Sequence, residues 1–276
     1  MRKVDTSRDN GNLMKIFTQL IFLVALTGVT MGANIISYDP SINDIENAPF
    51  DVSGVGRSGS NWGTLIYPNI IISSAHWVPS GQITFLSGES RTITGGQRMT
   101  GTDMWVGILD EPVTESRVYD FSDIFVSPSS YYTFLGNGAA EVVLGLDSRD
   151  LVMVAKKQNN DSVVAYGLLS YFVDHAEGAA VTIYRDSNSP PGSGILTSGD
   201  SGSPAFGYID GVPTLIGTGW RSDSTNTTWW SYTGNAAHDI DAFIEEYGET
   251  IVLPEPTRLL YLLVGLGYCC LYRRRL

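Results

Sequence analysis

Short apolar runs recur along this chain, and turn residues part them roughly every eight to twelve positions, a rhythm that admits few folds. Runs at 49–55, 63–66, 70–72, 82–86, 91–93, 104–109 and 115–119 read as a first group of strands. A second group begins near Phe134 and takes in 141–146, 151–155, 162–170, 179–184, 202–208 and 214–220. The 30 Gly and 12 Pro suit a chain built of many strands joined by turns. One helix interrupts the pattern, at 235–247, where Ala237, Ile240, Phe243 and Ile244 recur at helical spacing and Gly248 supplies a C-cap. The fold expected is all-β, a sandwich or barrels, in two parts connected around 122–130.

The two ends read differently. Lys15 precedes an apolar stretch that runs from Ile16 to Leu26, and small residues follow at Gly28, Thr30, Gly32 and Ala33. That is the layout of a secretory signal peptide, with cleavage expected after Gly32 or Ala33. At the other end, Pro254-Glu255-Pro256 precedes an apolar stretch from Leu259 to Tyr272 and then Arg273-Arg274-Arg275. This arrangement resembles the PEP-CTERM sorting signal of Gram-negative bacteria. The resemblance implies an inner-membrane helix, cytoplasmic arginines and an exosortase-like enzyme that cuts near the motif. Segments of 1–33 (signal peptide), 34–125 and 126–250 (two β parts, the second with the helix) and 251–276 (sorting signal) follow.

Charge and cysteine narrow the partners. The formal net charge is −12, so nucleic acid is not an expected partner. Both cysteines, Cys269 and Cys270, lie in the C-terminal apolar stretch, so the exported body carries no disulfide and must rest on its core.

Three segments carry the chemistry. Ile71-Ile72-Ser73-Ser74-Ala75-His76 ends a strand on a histidine, Asp103 opens the run from Met104 to Leu109, and Gly199-Asp200-Ser201-Gly202-Ser203-Pro204 brackets a serine with glycines. A serine hydroxyl is a poor nucleophile at neutral pH and needs a base within hydrogen-bond reach; histidine is the side chain tuned for that. Of the three histidines, His175 lies in a polar turn and His238 on the helix, where it caps or packs. His76 is therefore the base, Ser201 the nucleophile and Asp103 the group that fixes the imidazole. The chemistry calls for no cofactor and no metal. The order His, Asp, Ser excludes α/β-hydrolases, which run Ser, Asp, His.

Residues 63–76, Asp103 and Gly199–Pro204 together make the chain similar to the chymotrypsin-like serine peptidases, with weaker likeness between 120 and 195. The resemblance implies two six-stranded antiparallel β-barrels, trypsin-like, with a C-terminal helix. It implies peptide-bond hydrolysis through an acyl-enzyme, with Gly199 and Ser201 donating backbone N–H groups to the oxyanion. Asp200 corresponds to the buried counter-ion of the mature N-terminal ammonium group. Yet Ile36-Ser37-Tyr38-Asp39, in the slot of that terminus, lacks the family's glycines. Ile195, six residues before the nucleophile, falls at the base of the substrate pocket, and Gly219 and Trp220 at its wall. An isoleucine there implies apolar rather than basic residues before the cleaved bond. The alternative from another class is a non-catalytic matrix or adhesion protein on a peptidase scaffold.

Overall fold

A computed structural model of the chain describes residues 34–35, 38–126, 144–148, 150–156, 161–175, 178–184, 192–222 and 227–249. The first barrel is built from β2 (Val55–Ser58), β3 (Asn61–Tyr67), β4 (Ile70–Ser74), β5 (Gln82–Phe85), β6 (Ser90–Arg98) and β7 (Met104–Leu109). These six antiparallel strands close in the order β2-β3-β4-β7-β6-β5. The second uses β8 (Asp150–Lys156), β9 (Ser162–His175), β10 (Gly178–Tyr184), β12 (Pro204–Ile209), β13 (Val212–Ser222) and β14 (Thr227–Tyr232). It closes as β10-β14-β13-β12-β8-β9. A two-stranded sheet of β1 (Asn34–Ile35) and β11 (Gly194–Ile195) lies outside both barrels. The expected double barrel is the observed one.

Strand periodicity explains how the barrels fill and join. On β4, Ile71 enters a cluster with Leu65, Ile83, Phe85 and Trp105 inside the first barrel. Its neighbours Ile70 and Ile72 turn to the opposite face and join Val154, Phe206 and Leu215 of the second barrel. Both faces are covered, so the run shows no alternation and every residue of β4 is buried. The second barrel has its own interior, where Leu151, Met153, Ala205, Ile216 and Trp230 meet.

The terminal segments cross over. Helix α1 (Pro40–Asn43) packs on the second barrel, where Asn43 is fully buried and donates to the carbonyls of Val164 and Gly192. Helix α2 (Ala237–Tyr247), entered through a 3-10 turn at Thr233–Asn235, lays Ile240 and Phe243 into the cluster between the barrels. Asn69 of the first barrel donates to the Tyr247 carbonyl and so ties the end of that helix. No helix among the described residues is long and apolar enough to cross a membrane.

Several local expectations shift. The run at 49–55 is not a strand; Ser53 N–H donates to the Asp51 carboxylate in a turn, and pairing starts at Val55. The run at 115–119 is a connection, anchored by Tyr119 N–H on the Leu65 carbonyl and leading to a parallel bridge between Phe121 and Leu215. Leu144 and Gly145 form a turn, and the rest of 141–146 apart from Leu146 lies outside the described residues, as do 1–33 and 251–276. His175 closes β9 rather than sitting in a turn, and His238 is exposed on α2 instead of packing. The strand β14 had no counterpart among the expected runs.

Candidate active site

Pairing between β4 and β7 sets the first half of the site. Ser74 is opposite Met104, so the residues just beyond, Ala75 and Asp103, meet as well, and Ala75 N–H donates to the Asp103 carbonyl at 2.8 Å. One step on, His76 N–H donates to Asp103 Oδ1 at 2.8 Å, while His76 Nδ1 lies 2.5 Å from Oδ2. Asp103 is wholly buried, whereas the His76 side chain is 33% exposed, so the imidazole reaches from a shielded carboxylate into the cleft. His76 Nε2 stands 2.9 Å from Ser201 Oγ, which completes an unbroken chain Asp103–His76–Ser201.

Ser201 arrives from the second barrel on a loop that only glycine can shape. Gly199 has φ +97° and Gly202 φ +79°, both in the left-handed region. A Cβ on Gly202 would stand 2.4 Å from Ser73 Oγ and 2.7 Å from the Trp62 carbonyl oxygen. The loop therefore lies directly on β3 and β4, and Trp62 N–H donates to the Ser201 carbonyl at 3.1 Å. Gly202 N–H donates to the Gly219 carbonyl, and Gly219 N–H returns to Ser203. Among the described residues, neither Gly199 N–H nor Ser201 N–H has an acceptor, so two donors remain open beside the hydroxyl.

Asp200 turns inward. Its Oδ1 accepts from Lys156 N–H at 2.8 Å, and Oδ2 accepts from Thr197 N–H at 2.9 Å and from the Thr197 hydroxyl at 3.4 Å. Burial pushes its carboxyl up to about 6, against the hydrogen bonds from Thr197 and Lys156 and the nearby Lys156 charge, which hold it down. Internal donors thus hold the Asp200 carboxylate among the described residues.

Beside Ser201 opens a cavity of about 150 Å³, lined by Leu196, Thr197, Ser198, Trp220, Arg221 and Ser222 together with Asp200, Ser201 and Gly219. Ile195 is not among them. It belongs to β11, whose pairing with Asn34 leaves it 1% exposed, and the lining begins one residue later at Leu196. Gly219 and Trp220 do line the cavity, and Gly219 lets the loop that carries Ser201 lie close against β13, since a Cβ there would come within 2.7 Å of Leu196 Cδ1 and 2.8 Å of the Asp200 carbonyl oxygen.

One contributor had no signal in the sequence. Ser231, on the unread strand β14, accepts from Asp103 N–H through its hydroxyl at 3.2 Å and links the carboxylate's backbone to the second barrel.

Fold and geometry together define a trypsin-like double barrel with a histidine, an aspartate and a serine aligned between its halves. The chain is similar to the inactivated protease paralogue S-D1 of the scabies mite, with TM-score 0.50 and 14% identity over 72% of this chain and 97% of that one. It is also similar to the passenger domain of plasmid encoded toxin, an autotransporter enterotoxin from enteroaggregative Escherichia coli, at TM-score 0.49 and 17% identity over 70% of this chain. That match spans 22% of the passenger domain's length. No protein-family model and no curated protein matches the sequence.

Proposed function

We propose that this chain is an exported serine endopeptidase. The observation that carries the reading is the hydrogen-bonded line from buried Asp103 through His76 to Ser201 Oγ. In this mechanism His76 Nε2 accepts the hydroxyl proton as Ser201 Oγ bonds to the scissile carbonyl carbon. The open N–H groups of Gly199 and Ser201 receive the oxyanion, each donor being worth on the order of 10²–10³ in turnover. The C–N bond then breaks, the imidazolium proton passes to the leaving amine, and water repeats the sequence to release the acid. Asp103 fixes the tautomer with Nδ1 protonated and stabilises the imidazolium. Asp200 supports the loop through its three internal donors.

Signal-type residues at the N-terminus and the Pro254-Glu255-Pro256 segment with its arginines support export and an inner-membrane anchor handled by an exosortase-like enzyme in a Gram-negative cell. Protein or peptide substrates would meet the enzyme outside the cytoplasm. A fluorophosphonate probe tests the chemistry: the wild-type chain takes the label at Ser201, and Ser201→Ala does not while keeping its unfolding midpoint. An unlabelled wild-type chain would instead make this a binding protein on a peptidase scaffold.

A further inference from the structure

We propose that Arg221 makes the cavity beside Ser201 a pocket for an acidic side chain, so that bonds following glutamate or aspartate are the ones cut. The inference deepens the peptidase reading and rests on it.

Arg221 on β13 is paired in register with Trp229 on β14, and its guanidinium carbon lies 5.7 Å from that ring's centroid. Cross-strand neighbours share a face of the sheet, and stacking on an aromatic holds the planar group without using its N–H donors. Among the described residues the Arg221 side chain makes no hydrogen bond and no ion pair, so those donors stay available. A guanidinium offers five N–H groups in a fork that matches the two oxygens of a carboxylate. An oriented, unpaired fork at a cavity wall is a carboxylate acceptor in waiting.

The rest of the lining agrees. Ser198 and Ser222 bring hydroxyls that can donate to the same carboxylate, while Leu196 and Trp220 offer apolar surface to its methylene stem. Among the described residues Asp200 is the only acidic one in the lining, and its carboxylate is turned to Lys156 and Thr197. A lysine or arginine entering here would meet Arg221 and, among the described residues, no available anion. A leucine would cover hydroxyls and a guanidinium without giving them a partner, which costs free energy for every group left unpaired. The apolar preference expected from Ile195 therefore does not carry over, since that side chain lies outside the lining.

The test uses the full chain and fluorogenic peptides that differ only in the residue before the cleaved bond. Glutamate should be cut about 10- to 100-fold faster than glutamine in kcat/KM, the range of one charge-assisted contact. That ratio should shrink as salt rises, because Arg221 is exposed. Arg221→Gln should bring glutamate down to the glutamine rate. Should this variant fail to fold, the wild-type ratio and its salt dependence still decide. Labelling by the fluorophosphonate probe runs alongside. A labelled enzyme that prefers leucine, phenylalanine, lysine or arginine overturns the assignment of Arg221 and leaves the peptidase reading intact. A chain that takes no label removes both.

Discussion

Replacing Gly202 by alanine tests how the loop that carries Ser201 is seated. At φ +79° an L-residue pays roughly 1–2 kcal/mol that glycine does not. The added Cβ would lie 2.4 Å from Ser73 Oγ, 2.7 Å from the Trp62 carbonyl oxygen and 3.1 Å from Ser74 N. Ser73 Oγ is the movable member, but its hydroxyl donates to that same Trp62 carbonyl at 2.5 Å, a bond worth about 1 kcal/mol net. The other two atoms are backbone of β3 and β4 and cannot rotate away. Conformation, lost hydrogen bond and crowding together destabilise the fold by about 2–4 kcal/mol. The loop must also lift from the first barrel, and a displacement near 1 Å costs on the order of 10²-fold in rate. Urea midpoints and probe-labelling rates measure the two effects. In a Ser73→Ala background the nearest atom is gone, so the stability penalty of Gly202→Ala should drop by about 1 kcal/mol, leaving the φ and carbonyl parts. Equal penalties in both backgrounds, or a Gly202→Ala enzyme with wild-type midpoint and labelling rate, would refute this account of the loop.

Two further outcomes follow from the charges. Asp103→Asn keeps the size of a buried side chain but offers His76 the wrong hydrogen-bond pattern, so turnover should fall on the order of 10⁴-fold with the fold intact; peptide hydrolysis checks this, and a loss under tenfold contradicts the role. Asp200 has its pKa raised from 3.8 to about 6 by burial, so folding favours its protonated form. Its contribution is therefore full below about pH 4 and is lost as pH rises through 6, a change of about 3 kcal/mol. Urea unfolding of the wild type and of Asp200→Asn across pH 4–7.5 should show their stability difference moving by that order and in that direction, and a flat difference would exclude it.

Much of the fold was legible because its signals are local. Ile70-Ile71-Ile72 is a strand whatever surrounds it, and a histidine after small residues or a serine between glycines needs no distant information. What remained hidden was tertiary. Nothing in Ile70–Ile72 says which side chains enter the barrel and which join Phe206 across the interface. Counting six residues back from Ser201 reaches Ile195, but the chain there departs to pair with Asn34, and the cavity is met at Leu196 instead. Strand β14 was missed, and with it Ser231, whose hydroxyl accepts from the amide of the aspartate found by motif. Arg221 follows Gly219 and Trp220 in the chain, but its stacking on Trp229 comes with a bulge in β13 between Gly219 and Arg221 that the sequence does not announce.

The triad straddles two barrels that no disulfide joins, so its 2.9 Å contact between His76 and Ser201 depends on how firmly those barrels are held together. Two kinds of interaction meet that need. The apolar cluster between them draws Val55, Ile72 and Met104 from one side and Val154, Phe206 and Leu215 from the other, but such burial is non-directional and fixes distance better than register. Register comes from backbone hydrogen bonds that end on the loop itself: Trp62 of the first barrel to Ser201, Gly202 to Gly219 of the second, and Lys156 to the Asp200 carboxylate. Asp103 N–H to Ser231 closes the circuit from the opposite side. Each of these bonds joins a triad residue, or its neighbour in the chain, to an element remote in sequence. Ser201 is thereby positioned against His76 at the seam between the two halves.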